Sequence, residues 1–271
     1  MKLFKWLPLI LFFSCIDMII QENHYNSLYF QGGSWIEFPK IENMKMAPSA
    51  NDFTLQFWIS GGEFNINDAP AFFSIVDSDN KIKLASSRDL GNNNAITTIT
   101  NDNVPLYNEM SEVDWENPDN FYLISFLFSA SNTKDLTIYI NKNKIGLTEN
   151  SGAIDVGNAS LIFGAIANKE YTILENFWYG YIDEIRLWNT WLADTTIQFQ
   201  TDHPNKFGEY YRYTEDGEEI DTYLDSLIGI WRFNLSDLTA TIIDESGNGN
   251  DGTIYTYDGN YSIELSEKGA Q

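Results

Sequence analysis

The chain of 271 residues is 43% hydrophobic and 15% aromatic, so it can bury a sizeable core without disulfides. Its formal net charge of −23 makes nucleic acids and anionic lipid headgroups poor partners, because their phosphates carry the same sign. The single cysteine cannot form an intrachain disulfide, and the two histidines, His24 and His203, leave no plausible serine or cysteine triad.

The first fifteen residues have the features of a targeting signal. Lys2 and Lys5 give a positive start, and an apolar run from Trp6 to Phe13 follows. The run is too short to cross a bilayer, which takes about 20 apolar residues. Ser14 before Cys15 resembles the lipobox of bacterial lipoproteins, and this resemblance implies that Cys15 carries a lipid; the alternative is an ordinary secretory signal with a chance cysteine.

The region after the signal divides into a tether and one domain. Residues 16–26 are a short polar tether, and residues 27–271 fit one all-β sandwich better than two small domains. The protein is therefore expected in the cell envelope, outside the cytoplasm, with the lipid anchor as its sole membrane attachment.

Short runs of alternating apolar residues, separated by Asn, Asp, Gly and Ser, recur through this domain and are typical of a β-sandwich. The pattern predicts strands near residues 28–38, 53–60, 70–76, 81–87, 94–100, 120–129, 134–141, 159–165, 178–189, 227–234 and 252–257. One helix is predicted over residues 192–201, ending before a His-Pro pair.

The strand over residues 178–189 places a carboxylate on an otherwise apolar face. Strict alternation predicts that Tyr181, Asp183, Ile185 and Leu187 point the same way. A buried carboxylate needs a compensating partner, because an unpaired buried charge costs several kcal/mol. For Asp183 that partner is either a bound cation, or Arg186 or a backbone N–H group.

A polar loop near the end of the chain has the spacing of the first half of a calcium loop. Asp244, Ser246 and Asn248 place side-chain oxygens on one side of a tight turn, and Asn250 extends the set. The twelfth position of the pattern is Tyr255 instead of a bidentate glutamate, which excludes an EF-hand. The alternative is a series of turns that uses glycines for positive φ angles.

Most aromatic residues are expected in the core, but five are less easily assigned, namely Trp58, Trp115, Trp178, Tyr179 and Trp191, and the first four are candidate ligand-binding residues. Sugar rings stack on exposed indoles through their apolar faces. A pair of these side chains near one rim of the sandwich would therefore suit glycan binding.

Three segments in the second half of the chain carry a family resemblance. An Ile-Asp-Glu-Ile-Arg strand begins at Ile182, a Trp-Arg-Phe strand begins at Trp231, and the turn from Asp244 to Gly252 follows. In this order they resemble the laminin-G-like and pentraxin-like jelly roll domains of the concanavalin A-like superfamily. The resemblance implies an all-β fold, a two-sheet antiparallel jelly roll sandwich with one short helix, and a structural calcium ion held at the position of Asp183.

The same superfamily contains family 16 glycoside hydrolases, whose catalytic strand carries a Glu-x-Asp-x-x-Glu pattern. The nearest match here runs from Glu219 to Asp225, and its last carboxylate is an aspartate one place too late. The chain is therefore not expected to be an enzyme, and a degenerate hydrolase is kept as an alternative.

These observations favour a non-catalytic binding protein of the cell envelope. The leading hypothesis is carbohydrate or glycan recognition by a fold that calcium stabilises. A second hypothesis, from another class, is an adhesion or assembly protein that binds another envelope protein. An exposed pair of aromatic residues beside polar amides would favour a sugar, whereas a broad apolar patch without a groove would favour a protein.

Overall fold

The computed structural model describes residues 27–44, 52–62, 70–79, 81–89, 95–100, 104–109, 113–115, 117–129, 136–148, 156, 158–167, 174–208, 211–213, 219–221, 225–235, 238–257, 259 and 263–270. The predicted signal, Cys15 and the tether lie outside the described residues. No helix among the described residues has the length and apolar character needed to cross a bilayer.

The described residues form twenty strands and one α-helix, in chain order: β1 (Ser27–Gln31), β2 (Ser34–Lys40), β3 (Asp52–Ser60), β4 (Ala71–Asp77), β5 (Ile82–Asp89), β6 (Ala95–Thr100), β7 (Val104–Glu109), β8 (Tyr122–Ser129), β9 (Leu136–Ile140), β10 (Asn143–Thr148), β11 (Ala159–Phe163), β12 (Ile166–Ala167), β13 (Leu174–Glu175), β14 (Tyr179–Trp188), α1 (Asp194–Asp202), β15 (Tyr211–Tyr213), β16 (Glu219–Asp221), β17 (Leu227–Trp231), β18 (Thr241–Ile242), β19 (Gly252–Thr256) and β20 (Ile263–Ser266). A 3₁₀ turn, Ile41–Asn43, follows β2.

Two large antiparallel sheets form the sandwich. Sheet A has the order β10-β9-β8-β3-β14-β1-β20, with β17 also paired to β14. Sheet B has the order β18-β19-β2-β11-β4-β5-β6-β7. The predicted all-β jelly roll with one short helix is confirmed.

Aromatic side chains on the inward faces of both sheets fill the space between them. Phe57 of sheet A lies edge-on to Phe163 of sheet B, with ring centroids 5.1 Å apart. It also lies 5.9 Å from Phe73 and 6.2 Å from Phe126. Edge-to-face contacts of this kind stabilise a core beyond the area that they bury.

Helix α1 covers part of the outer face of sheet A. Ile197 packs with Leu192 against Trp188 of β14 and the neighbouring side chains of that face. Polar groups under the helix are satisfied, because Gln56 donates to Gln200 at 2.8 Å and accepts the indole N–H of Trp188 at 2.8 Å. The helix is therefore fixed to the sheet by both apolar packing and buried hydrogen bonds.

The first two strands, β1 and β2, connect the two sheets. The predicted run over residues 28–38 is divided by a turn at Gly32 and Gly33, whose φ angles are +80° and +69°. β1 lies in sheet A beside β20, with Ser27 opposite Ser266, and β2 lies in sheet B. Ser27, the first described residue, therefore lies at the end of β1 that is farthest from this turn.

Candidate functional site

A β-bulge in β14 corrects the face that the sequence pattern gave to Asp183. In the pairing of β14 with β3, Asp183 lies opposite Trp58 and Ile185 lies opposite Phe57, so Glu184 is an extra residue. Glu184 has a φ angle of +35°. An extra residue shifts the alternation of side chains by one place. The prediction that Asp183 and Ile185 share a face is therefore wrong: Ile185 enters the core, and Asp183 lies on the outer face of sheet A beside Trp58.

The partner of Asp183 is a backbone group. Its side chain is buried, with 5% of its surface exposed, and its Oδ2 atom accepts the backbone N–H of Ala270 at 3.0 Å. Burial raises the pKa of the Asp183 carboxyl to about 7. Of the two protein partners that the sequence offered, the backbone N–H group is present, whereas Arg186 pairs with Glu184.

The charges next to Asp183 are balanced among themselves. The Glu184 carboxylate accepts a hydrogen bond from Arg186 Nε and another from Arg232 Nε, the latter at 2.8 Å. Arg232 also reaches Glu245 at 3.3 Å, and both guanidinium groups lie over the ring of Phe207. This network joins β14 to the segment after β17 and neutralises a buried carboxylate.

The loop after β18 forms a network of hydrogen bonds within the protein. The Asp244 carboxylate accepts three backbone N–H groups, from Ile230 at 3.1 Å, Ser246 at 2.9 Å and Asn250 at 3.0 Å. The side-chain amides of Asn248 and Asn250 donate to backbone carbonyls of β17. These residues therefore attach the loop to β17 through backbone groups that would otherwise be buried without partners.

The described residues do not converge on a calcium site. No three His, Cys, Asp or Glu side chains in the described part of the chain form a group that could hold a metal ion. The carboxylates of Asp183 and Asp244 are directed at N–H groups, although calcium requires six to eight oxygen ligands. Calcium binding at Asp183, Asp244, Ser246, Asn248 or Asn250 stays a prediction, and no part of the site below depends on it.

The four side chains that the sequence suggested for ligand binding do not form a common rim. The rings of Trp115 and Trp178 lie in the core, 6.1 Å apart, and both stand beside Phe72. Trp58 is buried on the outer face of sheet A, where it packs with Ala270. Tyr179 is half-buried, and its ring lies against Gly32, where a Cβ atom would be 2.2 Å from the ring. Trp115 and Trp178, two of the candidate ligand-binding residues, are therefore buried in the core and do not form an exposed pair at a rim.

A groove of about 470 Å³ lies beside Trp58 on the outer face of sheet A, lined by Trp58, Asp119, Asn120, Phe121, Tyr122 and Gly269. The segment after β20 forms one side of it. Lys268 is ion-paired to Asp119 at 2.6 Å, and its ammonium group lies 5.5 Å from the ring centre of Tyr181. Of the residues that line this groove, Trp58 alone was predicted from the sequence to bind a ligand.

A row of four aromatic side chains lies on the outer face of sheet B, and we call it the aromatic row: Trp35, Phe177, Tyr255 and Tyr257. Trp35 of β2 stacks on Tyr255 of β19, with centroids 5.5 Å apart and planes at 17°. Phe177 lies 6.3 Å from Trp35 and 6.3 Å from Tyr257. Tyr255 is 44% exposed and Tyr257 is 58% exposed. The row is thus a continuous aromatic surface that contacts solvent.

Packing beneath the aromatic row holds it in place. Trp35 and Phe177 pack against a buried cluster of Val76, Ile162 and Ala165 on the same face of the sheet. Tyr257 is tied by its backbone N–H, which donates to the carbonyl of Gly33 at 2.8 Å. The row therefore has a fixed geometry before any ligand arrives, which lowers the entropic cost of binding.

The alternation of inward and outward side chains along β2 and β19 is the sequence signal that could have identified the aromatic row. In β2 the apolar Ile36 and Phe38 face inward, so Trp35 and Glu37 must face outward. The same alternation about Ile254 turns Tyr255 outward. The aromatic row was not predicted from the sequence, because inward and outward aromatic residues were not distinguished in these two strands.

Glu37 lies next to Trp35 along the outer face. Its direct neighbours across the sheet are Ile162 on one side and Thr253 on the other. Burial against these side chains raises the pKa of the Glu37 carboxyl above its ordinary value. Glu37 is thus a half-buried acceptor at the foot of the aromatic row.

The segment that most resembles the hydrolase pattern lies away from both main sheets. Glu219, Ile220 and Asp221 form β16, which pairs with β15 in a separate two-stranded ribbon. A catalytic pair of a retaining glycosidase has to face the substrate with its carboxyl groups about 5 Å apart. Because β16 lies outside the two main sheets, it does not correspond to the catalytic strand of the hydrolase family.

Comparisons with solved structures give the same fold. The chain is similar to a proposed carbohydrate-binding protein from Bacteroides ovatus, with a TM-score of 0.56 and 13% identity over 89% of this chain. It spans 59% of that protein's length. It is also similar to the heptameric SAP-like pentraxin from Limulus polyphemus, with a TM-score of 0.53 and 13% identity, covering 76% of this chain and 94% of the pentraxin.

Comparisons of sequence give a family but no close relative. None of the curated proteins matches the chain. A laminin G family model of the concanavalin A-like lectin/glucanases superfamily matches residues 30–198, which is more than half of the chain. The protein therefore belongs to this laminin G family of the concanavalin A-like lectin/glucanases superfamily.

Proposed function

We propose that the protein is a non-catalytic glycan-binding protein and that the aromatic row is its ligand surface. The observation that carries the proposal is the exposed stack of Trp35 and Tyr255, extended by Phe177 and Tyr257. Sugar rings bury their apolar C–H faces against such rings, while their hydroxyls remain available for hydrogen bonds. The row provides the stacking surface, and the Glu37 carboxylate beside it provides an acceptor.

The fold supports this proposal by analogy. The similar protein from Bacteroides ovatus is itself a proposed carbohydrate-binding protein, and the family is one of lectins and glucanases. A fold can host unrelated functions, so the argument depends on the aromatic row and not on the fold.

The composition of the strands around the row favours binding over hydrolysis. Glycoside hydrolysis needs two carboxyl groups on either side of the scissile bond. Glu37 is the single carboxylate contributed by the three adjacent strands β2, β11 and β19. We therefore propose recognition without bond cleavage.

A glycan array with the purified full chain tests this function. Tyr255→Ala and Tyr257→Ala remove exposed rings, so both variants should fold like the wild type and bind the array hits about tenfold more weakly, or about 1.4 kcal/mol. Ile243→Ala is the matched control, because Ile243 is an exposed apolar residue outside the row. Unchanged binding by both tyrosine variants would remove the row from the function. Loss of binding to an envelope protein in these variants, with no glycan bound by the wild type, would support the adhesion alternative instead.

We also propose that the protein is held at the cell envelope by a lipid on Cys15. This proposal is supported by the charged start, the short apolar run and the small residue before the cysteine. A lipid-anchored binding protein would display the sandwich to glycans outside the cytoplasm.

A further inference from the structure

The surroundings of the aromatic row restrict the charge of a ligand that could lie on it. β2, β11 and β19 form the surface next to the row, and together they contain one acidic residue, Glu37, and one basic residue, Lys40. Glu37 is two residues from Trp35, so the two side chains lie on the same face about 7 Å apart along the strand. An acidic group on a ligand stacked over Trp35 would therefore meet a carboxylate.

The basic residue is too far away to compensate. Lys40 is five residues from Trp35, or about 17 Å along an extended strand. Its ammonium group donates to Asn158 at 2.9 Å. Lys83, on the third strand from β2 in sheet B, is ion-paired to Asp77 at 2.9 Å. These lysines therefore do not provide a cation at the row.

The Glu37 carboxylate has unused capacity to accept hydrogen bonds. Among the described residues it has no hydrogen-bond or ion-pair partner, although it is half-buried between Ile162 and Thr253. A half-buried acceptor without a partner is unfavourable for the free protein and is relieved by a donor. Sugar hydroxyls are neutral donors that fit this position.

Resting on the proposed function, we infer that the aromatic row binds glycans that carry no carboxylate, sulfate or phosphate group, and that Glu37 accepts hydroxyl hydrogen bonds from the stacked sugar. Glu37 thereby both holds an uncharged sugar and repels an acidic one. The net charge of −23 acts in the same direction at longer range.

Matched pairs of glycans test this inference. The full chain is assayed on an array that carries each neutral glycan beside its acidic counterpart, such as lactose with 3′-sialyllactose and dextran with dextran sulfate. The bound glycans should be neutral, and each acidic counterpart should bind at least tenfold more weakly than its neutral partner. Acidic glycans that bind as well as their neutral partners, with binding reduced by Tyr255→Ala, would overturn the inference and leave the proposed function intact. Failure to bind any glycan would overturn both.

Glu37→Gln separates the acceptor role from a structural one. The amide has the same shape without the charge, so neutral glycans should bind several-fold more weakly, while their advantage over acidic counterparts should shrink. Asp79→Asn is the control, because it removes the same charge at an exposed turn of sheet B, remote from the row. A Glu37→Gln protein with the wild-type preference, measured at an unchanged Tm, would contradict the role given to Glu37.

Discussion

Trp35 and Tyr255 are directly opposite each other on the antiparallel strands β2 and β19, and their rings stack with centroids 5.5 Å apart on the outer face of sheet B. A stacked pair usually lies inside a protein, where burial of both rings contributes most of its stability. Here Tyr255 is exposed, so one face of the pair contacts solvent. This arrangement is what a flat, partly apolar ligand such as a sugar ring would use.

The first prediction separates the two members of the stack. Trp35 packs on Val76 and Ile162, so Trp35→Ala should lower the free energy of unfolding by about 2–4 kcal/mol. Tyr255→Ala should change it by less than about 1 kcal/mol, because the ring is largely exposed. Urea unfolding of both variants measures the difference. Equal losses in the two variants would contradict the packing described for Trp35.

The second prediction concerns pH and Asp183. The folded-state pKa of this carboxyl, about 7, lies above its ordinary value of 3.8, so the folded protein binds the proton more tightly than the unfolded chain. Asp183 therefore reduces stability as the pH rises from about 4 to 7, by at most about 4 kcal/mol at 1.36 kcal/mol per pKa unit.

Asp183→Asn tests this assignment, because the amide keeps an acceptor for the Ala270 N–H but cannot ionise. The variant should raise the Tm at pH 8 and leave it nearly unchanged at pH 4. Asp79→Asn, at an exposed turn, should show no such pH dependence. A variant that is less stable than the wild type at pH 8 would show that the ionised carboxylate has a favourable partner.

The third prediction concerns the loop held by Asp244. Asp244→Ala leaves the backbone N–H groups of Ile230, Ser246 and Asn250 without their acceptor. The loss should be about 2–4 kcal/mol, since buried donors without partners cost about 1–3 kcal/mol each and part of the loop can reach water. Amide hydrogen exchange should accelerate at these positions before it does so in the core. Unchanged protection would mean that other groups hold the loop.

The fourth prediction concerns calcium. A ligand that binds only the native state raises stability by mass action, so thermal unfolding in EDTA and in millimolar calcium measures binding directly. If calcium binds as predicted, the midpoint should be higher in calcium than in EDTA; equal midpoints would give structural roles to Asp183 and Asp244, whose carboxylates accept N–H groups. A higher midpoint in calcium that Asp183→Ala abolishes would instead establish the metal site that the family resemblance implies.

The fifth prediction concerns Cys15. Cys15→Ser should abolish metabolic labelling by a radioactive fatty acid and release the protein from the membrane fraction. Glycan binding by the purified Cys15→Ser protein should equal that of the wild type, since the aromatic row lies within the sandwich. Release of the wild-type protein from the membrane fraction would instead favour an ordinary secretory signal.

Alternation and turn residues are local properties that a single sequence displays, and they were enough to predict a β-sandwich; the jelly roll was implied by the resemblance of the ordered motifs to the concanavalin A-like superfamily. The bulge at Glu184 was not predictable, since an extra residue in a strand leaves no mark on composition and is defined by the partner strand. The error for Asp183 follows directly, because every residue before a bulge changes face relative to those after it.

The burial of Trp115 and Trp178 is a second feature that could not be predicted from the sequence. Trp115 and Trp178 lie outside long apolar runs, yet both are buried around Phe72 by packing between distant segments of the chain. Such burial depends on tertiary contacts and not on local periodicity. Short strands such as β18 and β20 escaped prediction for the same reason, because pairing with β19 and β1 defines them.

The direction of β1 places the first described residue and the aromatic row toward different ends of this strand. The strand starts at Ser27 and runs about 13 Å to Gln31, where the Gly32–Gly33 turn leads to Trp35. Tyr257 is bonded to the same turn through Gly33. With the proposed lipid at Cys15, the chain would enter the sandwich at Ser27, at the end of β1 away from the turn that leads to the aromatic row.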